Sequence, residues 1–258
     1  MPYPIRSKLF VFLFAIFLLL YFLYAVVSTA PAAWAAWGLH QAVPNLWLSS
    51  VEGSLWRGKA RSAQVDLGPA PMALGEVRWS ISPLSLLSLR PCLNFSAELP
   101  GQSFSGRLCQ NLLSDQSRVS DVNLDAPISA LQDILPIDAT GFVSIIVREA
   151  RFTSKAEVLS LDGQFSWENA LANTGDSWIK LGSFAATAKE NGKGGVVAEV
   201  FDIQGPYRSQ LNAEWSAGQD WRIAGTIAPQ AGAADLVVQG LQVLGEDLGS
   251  GVYRVQWP

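Results

Sequence analysis

Histidine occurs once in the 258 residues and cysteine twice, and only 16% of the chain is charged. Each shortage removes a class of function. His40 is the sole candidate for imidazole catalysis. A general base of that kind works with a nucleophile and an orienting acid. The nearest acid in sequence is Glu52, and no Gly-x-Ser-x-Gly accompanies it. His40 therefore reads as a linker residue. A zinc site would rest mainly on carboxylates, which is rare for structural zinc. Asp121, Asp125, Asp133 and Asp138 miss the calcium-loop spacing and read as turn and cap residues. No phosphate-cradling glycine loop, dinucleotide fingerprint or zincin motif is present. The 18 Lys and Arg are outnumbered by 22 Asp and Glu, and they form no basic block, so nucleic acid is excluded as a partner. Disorder is excluded too, because 49% of the residues are hydrophobic. The expectation is a folded chain that is not an enzyme and carries no cofactor or metal.

What the chain does have is one long apolar run. Residues 9–27, from Leu9 to Val27, carry no charge. As a helix at 1.5 Å per residue they reach about 28 Å, close to the roughly 30 Å of a bilayer core. Arg6 and Lys8 precede the run, and no charged residue follows it until Glu52. The positive-inside rule then makes residues 1–8 a cytoplasmic tail and places everything beyond Val27 outside. Tyr21, Tyr24, Trp34 and Trp37 suit an interfacial aromatic belt. A cleaved signal peptide is the alternative, with Ser28-Thr29-Ala30 or Ala33-Trp34-Ala35 as the cleavage region. The run exceeds the usual signal-peptide core, which favours a retained anchor. Residues 28–50 read as a juxtamembrane linker and 51–258 as the exported domain, with 51–125 and 137–258 as candidate sub-units.

The exported part alternates with period two. Val77, Trp79 and Ile81 share one side, as do Phe95 and Ala97, then Val143, Ile145 and Val147, then Leu161, Phe165 and Trp167. Turn chemistry separates the runs at Pro100-Gly101, Asn191 to Gly195, Gly205-Pro206 and Ala217-Gly218-Gln219. No βαβ rhythm appears. The fold class expected is mainly β: an elongated, twisted antiparallel sheet. Two short helices interrupt it. Asp125-Ala126-Pro127 caps the first, whose stripe is Ile128, Leu131, Ile134 and Leu135, ended by Pro136. Val237, Leu241 and Leu244 form the stripe of the second. An apolar-x-Gly…Trp…Leu-Gly order occurs twice, at Gly53, Trp56 and Gly75 and again at Gly163, Trp167 and Gly182, as in stacked β units.

Cys92 and Cys109 fall in adjacent predicted strands joined across Pro100-Gly101. In an oxidising compartment they are expected to form a structural disulfide; a redox pair would need Cys-x-x-Cys spacing. The ten Trp residues fall mostly on apolar strand faces. Core packing is the leading expectation for Trp79, Trp167 and Trp215, with Phe95 and Phe165, as faces that close on one another. A contact surface for a partner or lipid is the alternative.

The stretch from Val51 to Ala60, with Gly53, Trp56 and Gly58, resembles the Gly-Thr-Leu-Trp-x-Gly-x-Ala stretch of protein N of the bacterial type II secretion system. Gly75, Trp79 and Pro83 lie in a segment similar to that family's Trp-x-apolar-x-Pro strand. Leu161 to Ala170 with Gly163 and Trp167, then Leu181-Gly182, and the closing Gly251 to Val255, resemble it as well. The resemblance implies an inner-membrane component of the machine that moves folded proteins from periplasm to exterior. Its partners would be other subunits of that system, and residues 9–27 would hold it in the inner membrane. It also suggests kinship with β half-pipe proteins of the AsmA type, some of which handle lipid; a lipid ligand is the second reading. No catalytic residue is implied.

Overall fold

The computed structural model describes residues 5–66, 71–135, 137–175 and 177–257. Helix α1 spans Ile5–Ser28 and α2 spans Ala32–Ala42. Strands β1 (Leu46–Gly53), β2 (Arg57–Asp66) and β3 (Pro71–Ile81) lead to a short α3 (Pro83–Leu87). Then come β4 (Cys92–Leu99), β5 (Gln102–Asn111) and β6 (Gln116–Pro127), a 3₁₀ turn at Ile128–Ile134, β7 (Ala139–Thr153), β8 (Val158–Asn173) and β9 (Trp178–Glu190). Strands β10 (Val196–Gln204), β11 (Tyr207–Trp215) and β12 (Arg222–Pro229) precede α4 (Asp235–Leu244), β13 (Glu246–Asp247) and β14 (Tyr253–Trp257).

All fourteen strands form one sheet, in chain order from β1 to β12, with β14 and then β13 on the far edge. Every pairing is antiparallel, and β1 and β13 remain edges, so the sheet is open. The register explains why this sequence makes a single sheet. Directly opposed partners trace one row across the first half: Val51, Ala60, Val77, Ala97, Phe104, Leu124. The row continues through Ile145, Phe165, Ala186, Val200, Leu211, Gly225 and Val255. No member is polar. The neighbouring row begins Glu52, Lys59, Arg78, Ser96, Ser105, Asn123 and goes on through Ile146, Gln164, Thr187 and Glu199. Successive side chains point to opposite faces, so one face is apolar and the other nearly all polar. A slip of one residue in any strand would exchange them, which fixes the register.

The four turn segments read from sequence all lie between consecutive strands. Several other expectations are corrected. The stretch 28–50 is not a plain linker, since it holds α2 and most of β1. The boundary between 51–125 and 137–258 does not divide the sheet, because β6 and β7 pair from Gln116↔Thr153 to Pro127↔Phe142. The same pairing takes Asp125, Ala126 and Pro127 into β6, so they cap no helix. Proline is tolerated there because a strand end leaves its missing N–H without consequence. The helix that follows is 3₁₀ and begins at Ile128. Pro136, expected to end it, lies outside the described residues, as do the side chains of Leu131, Asp133 and Ile134, those of Arg6 and Lys8, and residues 1–4 of the tail. In α4, Leu241 is buried but Leu244 is exposed, so only part of that stripe covers the sheet.

The packed-face expectation holds for one aromatic residue. Trp79 is buried beneath α2 with Ala32 and Ala60. Trp167, Trp215, Phe95 and Phe165 are only half-buried. An open sheet offers no second layer to close over them, apart from α2, the 3₁₀ turn and α4.

Candidate functional site

The structure brings the first run of motif residues to a single place, the junction between α1 and the sheet. The last turn of α1 is closed by Ser28 and Thr29, whose hydroxyls donate to the Ala25 carbonyl at 3.0 and 2.7 Å. The chain then runs extended through Pro31, which bridges to Ser54. Leu55 N–H donates to Ala30 O at 2.8 Å, and the indole N–H of Trp56 donates to Val27 O at 2.8 Å. Val27 O is one of the carbonyls that a helix end leaves without an intrahelical donor. It accepts from the Ala30 N–H at 3.3 Å and, from a turn 29 residues away, from Trp56. Ala30, Ala32 and Ala60 are buried here.

Glycines allow the approach. Gly53 turns the chain with φ +97°, and a Cβ there would lie 2.5 Å from Arg57 O. Gly58 is paired with Trp79, and a Cβ on it would meet the indole ring at 2.3 Å. Trp79 thus lies flat on the backbone of β2, and its N–H donates to Leu55 O at 3.2 Å. Ile81 N–H donates to Trp56 O at 2.8 Å. Gly75, at φ +73°, lies away from this junction, opposite Ala63 and against the Glu98 carbonyl, where a Cβ would stand 2.5 Å away. Pro83 opens α3, a position where its missing N–H is not needed. Just beyond, Cys92 and Cys109 are directly opposed on β4 and β5 and are joined as a disulfide.

Gly163, Trp167 and Gly182 lie elsewhere, on β8 and β9. Trp167 packs with Val143 beside Ile128 and Ala139, and its N–H donates to Thr140 O at 3.1 Å. Gly141 lies against this indole, with a would-be Cβ 2.6 Å from its nitrogen. The partner of Trp167 in the structural echo is therefore Trp79, another strand residue laid over a glycine. Trp56 sits in the turn between β1 and β2 instead. Val27 and Ala30 were read from the sequence only as the end of the apolar run and part of a possible cleavage region, and Gly141 was not singled out.

The two motif glycines on β8 and β9 differ in need. Gly182 has φ +116° and backbone oxygen 2.5 Å from a would-be Cβ, whereas the nearest atom to one on Gly163 is at 3.7 Å. Gly182→Ala should destabilise by about 1–3 kcal/mol, the scale of a strained backbone position. Gly163→Ala should leave stability unchanged or raise it by about 0.4–1 kcal/mol through the unfolded state. Denaturant melts of the two variants check this, and equal losses would contradict the geometry.

The rest of the surroundings is apolar or solvated. An apolar cavity of about 270 Å³ lies between α2 and β1, β3 and β4, lined by Leu39, Leu48, Leu55, Trp79, Leu93 and Phe95 among others. His40 is part of α2, not of a linker; its ring packs on Trp47 at 5.1 Å and its Nδ1–H donates to Leu46 O at 3.2 Å. On the polar face, the Lys59 ammonium hydrogen-bonded to Glu52, with Arg61 beside it, holds the Glu52 carboxyl below the usual range. Such exposed pairs contribute little to stability. Among the described residues no three His, Cys, Asp or Glu side chains converge as a metal site.

An open meander of this size, led by an apolar helix and tied to that helix by its first turn, defines a β scaffold built around surfaces and edges. The chain belongs to the type II secretion system protein N family, whose family model matches residues 44–256. The match begins just after α2 and takes in β1 to β13 and all but the last residue of β14. No curated protein matches the chain, and no solved structure does.

Proposed function

We propose that the protein is an inner-membrane-anchored structural subunit of the type II secretion system, with its sheet in the periplasm, and that it supports export of folded proteins without catalysing a reaction. The observation that carries this reading is the junction. Trp56 and Leu55 bind the end of α1 at Val27 and Ala30. A flexible tether would need no such bonds; a fixed mount for the sheet does. Helix Phe10–Ser28 has the length and hydropathy of a membrane span, and none of that span is buried. The other subunits of the machine would dock on the free edges and the apolar face, by strand addition or by covering exposed aromatic residues. The family match favours this reading over lipid handling.

The test is secretion by a strain lacking the gene. Substrate should accumulate in the periplasm, and the full chain should restore export. A version whose residues 1–28 are replaced by a cleaved leader should restore it poorly. Undiminished secretion without the gene would overturn the proposal. Topology is checked separately. The charges of Arg6 and Lys8 against an uncharged outer flank predict an active alkaline phosphatase fused after Pro258. An inactive phosphatase together with an active cytoplasmic reporter at the same point would reverse the orientation.

A further inference from the structure

Strand direction divides the loops into two sets. β1 ends at the junction with α1, so the β1–β2 turn, the β3–β4 connection with α3, and the β5–β6 turn all lie at that end of the sheet. Backbone hydrogen bonds link them in sequence. Trp56 O accepts from Ile81 N–H at 2.8 Å just before α3, and Leu89 O accepts from Leu112 N–H at 3.0 Å in the β5–β6 turn. The centre of α3 is two strand spacings from the exit of α1, about 10 Å at 4.8 Å per strand.

This end is rich in uncovered leucine. Leu84 and Leu87 of α3 are 75% and 83% exposed, and Leu113 in the β5–β6 turn is 78% exposed. The isolated surface leucine needs no explanation, but a cluster of this kind does. Arginine accompanies it. Arg90 lines a cleft with Arg118 and Arg151 beside the disulfide. Arg118 and Arg151 share Glu149, and Asp115 accepts from Ser154. Arg57 and Arg90 have no acidic partner among the described residues. The exposed Trp34 of α2 follows directly on the end of α1.

We propose that this end of the sheet rests on the lipid surface of the membrane that α1 crosses, with Leu84, Leu87 and Leu113 inserted at the level of the upper acyl chains and Arg57 and Arg90 against lipid phosphates. The occupant follows from position. The leucines are held by a continuous hydrogen-bonded path to the carbonyl of Val27, where α1 leaves the bilayer. Apolar side chains at that depth gain burial in the interface, as an amphipathic helix does, while arginines reach back to the headgroups. The sheet thereby has a second point of support and stands in one orientation. This inference rests on the anchored reading above.

The experiment uses the full chain reconstituted in vesicles of phosphatidylethanolamine and phosphatidylglycerol. An environment-sensitive fluorophore is placed at Leu87→Cys, at Leu113→Cys and, at the opposite end, at Pro100→Cys; Cys92 and Cys109 are bonded and do not react. Emission at 87 and 113 should shift to the blue and be lost when lipids spin-labelled near the top of the acyl chain are added. Emission at 100 should be unaffected. Alkaline extraction of the same vesicles reports on the anchor independently. Protein that resists extraction but shows no quenching at 87 and 113 overturns the lipid contact and leaves the anchor standing, with the leucines then free for a protein partner. Protein released by extraction overturns both.

Discussion

Trp79→Ala should lower the stability of the protein by about 3–5 kcal/mol, the range for removing a buried large aromatic side chain. Trp79 is 9% exposed. Its ring covers Gly58, packs with Ala60 of the same strand and Ala32 of α2, and its N–H satisfies the Leu55 carbonyl. Truncation therefore opens a cavity and leaves a carbonyl short of its donor. Trp257 provides the contrast. It is 66% exposed at the far edge, and Trp257→Ala should change stability by no more than about 0.5 kcal/mol. Trp167→Ala should fall between the two. Denaturant unfolding of the detergent-solubilised chain measures all three. A Trp79→Ala variant as stable as the parent would mean that α2 does not close over the sheet.

That ordering marks what could be read from the sequence. Alternation identified β3, β4, β7 and β8 because each has one apolar side, and Gly, Pro and Asn clusters located four of the turns. Periodicity says which side a residue faces. It does not say what, if anything, covers that side. The expectation that Trp79, Trp167 and Trp215 would all be core assumed a second layer that the chain does not build. The layer over Trp79 was the element hardest to see: α2 consists largely of alanine and tryptophan, has no polar stripe, and begins after Pro31 with no side-chain cap. The bulged strands β7 and β8 also blur the period, since their register shifts between Thr140 and Phe142 and again between Val147 and Glu149.

The candidate site was legible in part for a similar reason. Gly53, Trp56, Gly58 and Trp79 stood out by type and order. Their partners did not, because Val27 and Ala30 belong to a helix end whose backbone carbonyls, not side chains, make the contact. A carbonyl has no letter in the sequence. The role of Gly58 likewise depends on which strand lies beside it, and only the register places Trp79 there.

Replacing Cys92 and Cys109 by serine should lower stability by about 3 kcal/mol, the loop-entropy contribution of a short bridged loop; the two are 17 positions apart. For a protein of this size that corresponds to a fall in melting temperature of roughly 6–12 °C. The bridge acts mainly on the unfolded chain. The sheet register already opposes the two residues, so the native hairpin should persist in the double variant, and the loss should appear as a lower unfolding free energy, with folded-state loosening confined to the end that holds the bond. Position adds a consequence. The bond ties β4 to β5 immediately after α3, at the end where Cys92 N–H also receives support from Ser85 Oγ at 3.0 Å. Reduction should therefore loosen α3 and the Leu89–Leu112 contact before the remote strands, with hydrogen exchange rising first at residues 85–92 and 110–113. Thiol labelling of unfolded, unreduced protein purified from cells provides the complementary measurement. The proposed periplasmic location predicts no free thiol, because an oxidising compartment would close the bond as the sheet folds. Two reactive thiols in that protein would remove the bridge and, with it, an independent argument that the sheet lies outside the cytoplasm.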